Sequence, residues 1–129
     1  MTDDELIEAF ESHRLTREAF THEAHLRVGW IYLQRLPLGE ACDTMARELL
    51  AWDIAHGLGD RYHETVTWAF MFIIHEKQLA CGAKTFDAFL EANPDLMRKS
   101  PPFLAGYYKD ATLESELARK NFLLPDVGR

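Results

Sequence analysis

The chain has 129 residues, 47% of them hydrophobic, and a net charge of −7 from 14 basic and 21 acidic residues. That length suits one domain able to bury a core without metal or disulfide staples, and the hydrophobic content excludes global disorder. With no basic patch, nucleic acid is a poor partner. No basic head precedes an apolar run near the start, so no secretory signal is expected. The longest apolar run, Val66 to Ile74, is too short to span a membrane. Cys42 and Cys81 share no close spacing and read as reduced thiols. These features predict a cytoplasmic protein with no membrane association.

Thr2 is placed to cap a first helix whose Asp3, Asp4, Glu5 and Glu8 make it acidic. Its narrow stripe of Leu6, Ile7 and Phe10 predicts a peripheral helix ending near His13 to Leu15. Thr16 to Phe20 reads as a capped turn. Thr21 is a second N-cap candidate, opening a helix from His22 to about Leu36. Gly29 inside that helix costs about 0.8–1 kcal/mol relative to alanine, which a close helix–helix approach would explain. Pro37 breaks the chain.

A third helix is predicted from about Gly39 to His56, with Ala41, Met45, Leu49, Trp52 and Ile54 or Ala55 turned inward. Gly57 stops it. Asp60 is then the natural N-cap of a central helix over about 61–81, with His63 in its first turn and apolar almost all round from Val66 to Ile74. Thr85 opens a short helix to about Ala92, and residues 95–99 read as one further turn. Ser100-Pro101-Pro102 reads as a rigid corner. Phe103 to Tyr108 should dock on the bundle. Thr112 is placed to cap a last helix to about Asn121, leaving the final three residues as a free tail.

The prediction is therefore an all-α, single-domain helical bundle of four to six helices. Residues 1–15 form the acidic peripheral helix, 16–99 the bundle core and 100–129 a docked C-terminal segment.

Short connections favour antiparallel neighbours. The second and fourth helices then start at the same end, which gathers His22, His25 and His63 there, with His56 nearby. His22 and His25 are three apart and project from one helical face. With His63 they could hold a divalent transition metal (Zn, Fe, Ni or Mn) and leave a position open for substrate. Glu64 or Glu23 would act as general base. Arg27, Tyr62, Thr67 and Trp30 would wall the pocket, although Arg27 is also spaced to pair with Glu23 across one turn. The competing reading needs no metal. Neutral His63 and the two helix N-termini would hold an anionic or carbonyl ligand, with Arg27 or Arg61 helping. A third reading is an interaction module that uses the acidic first helix and Phe103 to Tyr108.

Phe20-Thr21-His22-Glu23-Ala24-His25-Leu26-Arg27, Tyr62-His63-Glu64-Thr65-Val66-Thr67, Asn93-Pro94-Asp95-Leu96 and Ala118-Arg119-Lys120-Asn121-Phe122 together resemble a small bacterial family of stand-alone helical proteins. The resemblance singles out the His22/His25 and His63 segments and implies no reaction or substrate. DinB-like bundles offer an analogy for a three-histidine metal site, with their paired ligands more widely spaced. The expected partner is a small molecule, with no nucleic acid or membrane and with a homodimer as a possible assembly.

Overall fold

Thr2 and Glu5 close a reciprocal capping box on the first helix, α1 (Asp3–Glu11), so its start follows from local chemistry alone. The computed structural model describes residues 1–100 and 102–128 and is all-helical. The helices that follow are α2 (His22–Arg35), α3 (Leu38–Ala55), α4 (Glu64–Cys81), α5 (Phe86–Ala92), α6 (Asp110–Leu113) and α7 (Glu116–Lys120). Three 3-10 turns, Gly59–Arg61, Pro94–Met97 and Phe103–Gly106, join them. Pro101 of the expected corner and Arg129 of the expected tail lie outside the described residues.

The centre is a three-helix arrangement in which α2, α3 and α4 each touch the other two. α1 lies on α2 and α3, α5 on α2 and α4, and α7 on α4. Phe10, Val28, Ile31, Cys42, Met71, Ile74, Phe89 and Leu96 fill the space between them. Gly29 serves the close approach its position suggested. A Cβ there would stand 2.9 Å from the Met71 sulfur of α4. Gly57 takes φ +73°, the left-handed conformation that stops α3.

The structure corrects four local expectations. α1 stops at Glu11, and His13 takes φ +66°, so the chain turns earlier than its apolar stripe implies. α4 starts at Glu64 rather than after Asp60, because residues 59–61 form a 3-10 turn and His63 is the N-cap. The last helix is split. Ser115 caps α7, while the Thr112 hydroxyl donates to the Asp126 carboxylate. Val127 is not free, because its N–H donates to the Tyr107 carbonyl at 3.1 Å. Phe103, Leu104 and Tyr108 are buried, as expected of a docked segment. No helix among the described residues is long and apolar enough to cross a membrane.

Candidate functional site

At the end of the bundle where α2 and α4 begin, a cleft of about 760 Å³ opens between α2, α3 and the turn before α4. His25, Trp52, Asp53, Arg61, Tyr62, His63 and Thr67 line it, with Arg17 and Glu18 at the rim. Beneath it lies an apolar pocket of about 280 Å³ between the three central helices, which shares His25, Leu49, Val66 and Thr67 with the cleft. His25 and His63 thus both line this cleft, at the end of the bundle where α2 and α4 begin.

The ring nitrogens show what each histidine does. His63 Nδ1 accepts the Val66 N–H at 3.1 Å and so caps α4. Its Nε2 lies 2.7 Å from the Leu113 carbonyl, which can only accept, so Nε2 carries the proton. Both nitrogens are occupied, and a metal would have to displace these bonds. His22 Nε2 likewise donates to the Leu96 carbonyl at 3.0 Å. His25 Nδ1 donates to the Thr21 carbonyl at 2.9 Å. In the neutral ring this leaves the His25 Nε2 lone pair open, the arrangement of a hydrogen-bond acceptor or general base. The ring is held by stacking on Phe20, with centroids 3.6 Å apart. Burial holds His25 below the ordinary imidazole range, against the Thr21 bond and with the help of nearby His22. Among the described residues, no three His, Cys, Asp or Glu side chains are grouped to hold a metal ion.

The other expected site residues divide between the cleft and the rest of the fold. Tyr62 and Thr67 are at the cleft. Glu64 is committed to structure, accepting from the Tyr62 hydroxyl and from Trp68 Nε1 at 3.1 Å. Glu23 is exposed in the first turn of α2 and lines neither cavity. Arg27 pairs with Asp3 at 2.9 Å rather than with Glu23, and lines a separate polar recess beside α1 and α5. Trp30 donates to Gln78 at 2.9 Å and packs beside Phe86 and Phe89 in the core. The N-termini of α2 and α4 are closed by Thr21 and His63.

Asp53 is the residue that sequence reasoning missed. The expected inward position was Ile54 or Ala55, yet Ile54 is 62% exposed and Asp53 only 8%. The spacing Met45, Leu49, Asp53 at i, i+4, i+8 was the available signal. The Asp53 carboxyl has no hydrogen bond to any described residue, and its oxygens open onto the cleft. Burial pushes it up to about 6, against the nearby charges of His56 and Arg61. Arg17 and Arg61, also at the cleft, have no carboxylate or carbonyl partner among the described residues. Arg14, Arg27, Arg35, Arg47 and Arg119 each hold an acidic partner.

This geometry sets a pH-dependent cost. The folded-state pKa of Asp53 lies above the unfolded value, so stability is fully present below the unfolded value and is lost as pH rises through about 6. Asp53→Asn mimics the protonated carboxyl. It is expected to stabilise the unliganded protein by about 1–2 kcal/mol at about pH 7.5, allowing for water in the cleft, and by little at about pH 4. Urea unfolding at the two pH values measures this. Equal stability of both proteins at the higher pH would contradict it.

Comparison of the chain with protein-family models, curated proteins and solved structures finds no match. A functional reading therefore comes from the cleft itself.

Proposed function

We propose that the cleft between α2, α3 and α4 is a metal-free binding site for a small organic anion. The carrying observation is the pair Arg17 and Arg61, two cations with no hydrogen-bond or ion-pair partner among the described residues, in a cleft that shares four lining residues with an apolar pocket. Guanidinium groups suit carboxylate or phosphate heads. The inner pocket suits an apolar body, since ligand sites are mostly apolar with a few directed polar groups. His25 Nε2 supplies an acceptor, and a base if the bound molecule reacts.

Thermal unfolding with a panel of small carboxylates and phosphates tests the reading. A ligand present at about 100 times its Kd adds about 2.7 kcal/mol, which raises Tm by several degrees. The shift is expected to survive a chelator and to be lost in Arg17→Gln/Arg61→Gln. No shift with any anion counts against the proposal.

A second reading keeps the metal. His22 Nδ1 and His25 Nε2 have no partners among the described residues and lie three residues apart on α2. Two nitrogens and water could hold a divalent ion, with His63 joining only if it leaves Leu113. Stoichiometric metal in untagged protein, abolished by His25→Ala, would favour this reading over the first.

A further inference from the structure

The anion reading leaves one group unexplained, and that group narrows the ligand. Asp53 is more than nine-tenths buried, faces the cleft and bonds to nothing among the described residues. No buried side-chain oxygen among the described residues lacks a partner, so the Asp53 carboxylate oxygens open onto the cleft while the rest of the side chain is buried. A carboxylate so placed is ordinarily met by a donor. Arg61 acts on it electrostatically but does not bond to it. The carboxyl therefore stands ready for a donor from outside the protein.

Resting on the organic-anion reading, we infer that the occupant is an α-amino acid with a large apolar side chain. Its ammonium group sits on Asp53, its carboxylate on Arg61 and Arg17, and its side chain in the inner pocket. Three observations converge on this class. The required donor and the required anion must be close together in the ligand, because Asp53 and Arg61 are close enough to interact electrostatically. An α-amino acid holds its two charges one carbon apart. The ammonium has three N–H donors, and His25 Nε2 offers a second acceptor in the same cleft.

The pocket beneath is lined by Leu26, Met45, Val66, Phe70, Met71 and Ile74, and so selects an uncharged side chain. Its 280 Å³ exceeds the roughly 150 Å³ of a cavity that takes up benzene. Two methionines in that lining let it adapt to branched or aromatic groups. An ammonium beside Asp53 would also relieve the burial cost that holds its carboxyl at about 6.

Calorimetric titration of the full chain at about pH 7.5, where Asp53 is mostly ionised, separates the elements. The probes are L-phenylalanine, L-leucine, 3-phenylpropanoate, which lacks the amine, and L-glutamate. Phenylalanine is expected to bind about 10- to 100-fold tighter than 3-phenylpropanoate, the range for a hydrogen bond to a charged group. Leucine should bind and glutamate should not. Asp53→Asn is expected to erase the preference for the amine, weakening phenylalanine while 3-phenylpropanoate binds as well or better, because a negative charge beside its carboxylate is removed. Arg61→Gln should weaken both acids.

Equal affinity of wild type for phenylalanine and 3-phenylpropanoate overturns the amino-acid assignment and leaves the organic-anion site standing. Retention of the amine preference in Asp53→Asn overturns the role of Asp53. Failure of every acid to bind overturns both readings. The comparison of ligands on wild type needs no variant to fold.

Discussion

Trp52→Ala is expected to lower folding stability by about 4 kcal/mol, within the range for removing a buried aromatic side chain. Trp52 is 3% exposed and forms the wall between the cleft and the turn after α1. It meets Phe20 edge-on at 4.8 Å and stacks on His56 at 4.0 Å. Its indole N–H donates to the Leu15 carbonyl at 3.0 Å. Alanine leaves a cavity and an unpartnered buried carbonyl together, and these two costs add. It also removes the surface against which Phe20, and through it His25, is held. Trp52→Phe keeps one six-membered ring but loses the pyrrole part and its donor to Leu15, so its cost should be smaller, about 2 kcal/mol. Urea unfolding of both variants gives the comparison. A loss below about 1.5 kcal/mol for alanine would mean the wall relaxes freely around the gap, contrary to close packing.

Thr65→Val is expected to cost about 3 kcal/mol, although it changes neither size nor shape appreciably. Thr65 is fully buried on α4. Its hydroxyl donates to the Asn121 carbonyl at 2.5 Å and accepts the Leu123 N–H at 3.1 Å. One side chain thus replaces the missing ladder partner of the irregular chain after α7. Valine would leave a donor and an acceptor unsatisfied, each worth about 1–3 kcal/mol when buried. Thr65→Ser keeps both bonds and should lose about 1 kcal/mol for the methyl group. Amide exchange supplies the local readout, with Leu123 losing protection in valine and keeping it in serine. Unchanged protection at Leu123 in the valine variant would show that the hydroxyl is not what holds this segment.

These two residues illustrate why parts of the molecule were legible in the sequence and parts were not. Thr2, Thr21 and Thr85 cap their helices through bonds that reach three residues ahead, so helix starts could be read locally. Gly57 ends α3 for an equally local reason. The apolar character of Val66 to Ile74 identified the central helix, and packing against α2, α3, α5 and α7 accounts for it. The sharing of one end by α2 and α4 followed from short connections and holds in the fold, since His25 and His63 line one cleft.

The site was less legible because its residues answer to distant partners. His63 reads as a titratable head, but its Nε2 is taken by a carbonyl 50 positions later and its Nδ1 by the helix it caps. Arg27 found Asp3, 24 positions earlier, in preference to Glu23 one turn away. Asp53 reads as one more exposed acid of an acidic chain. In the fold it is 8% exposed and lines the cleft, with α3 packed on the turn at residues 59–61 and no hydrogen bond from a described residue to its carboxylate.

The sequence by itself determined that this protein is an all-helical domain, where most of its helices begin, and which end collects His22, His25 and His63. Those properties rest on contacts within a few residues and on the order of the helices. The tertiary structure alone decided which polar groups are satisfied and which are left facing a cavity. Hydrogen bonding of His22, His63 and Thr65 reaches 74, 50 and 56 positions along the chain. Whether a side chain serves the fold or stays available to a ligand depends on such partners, and no local pattern encodes them.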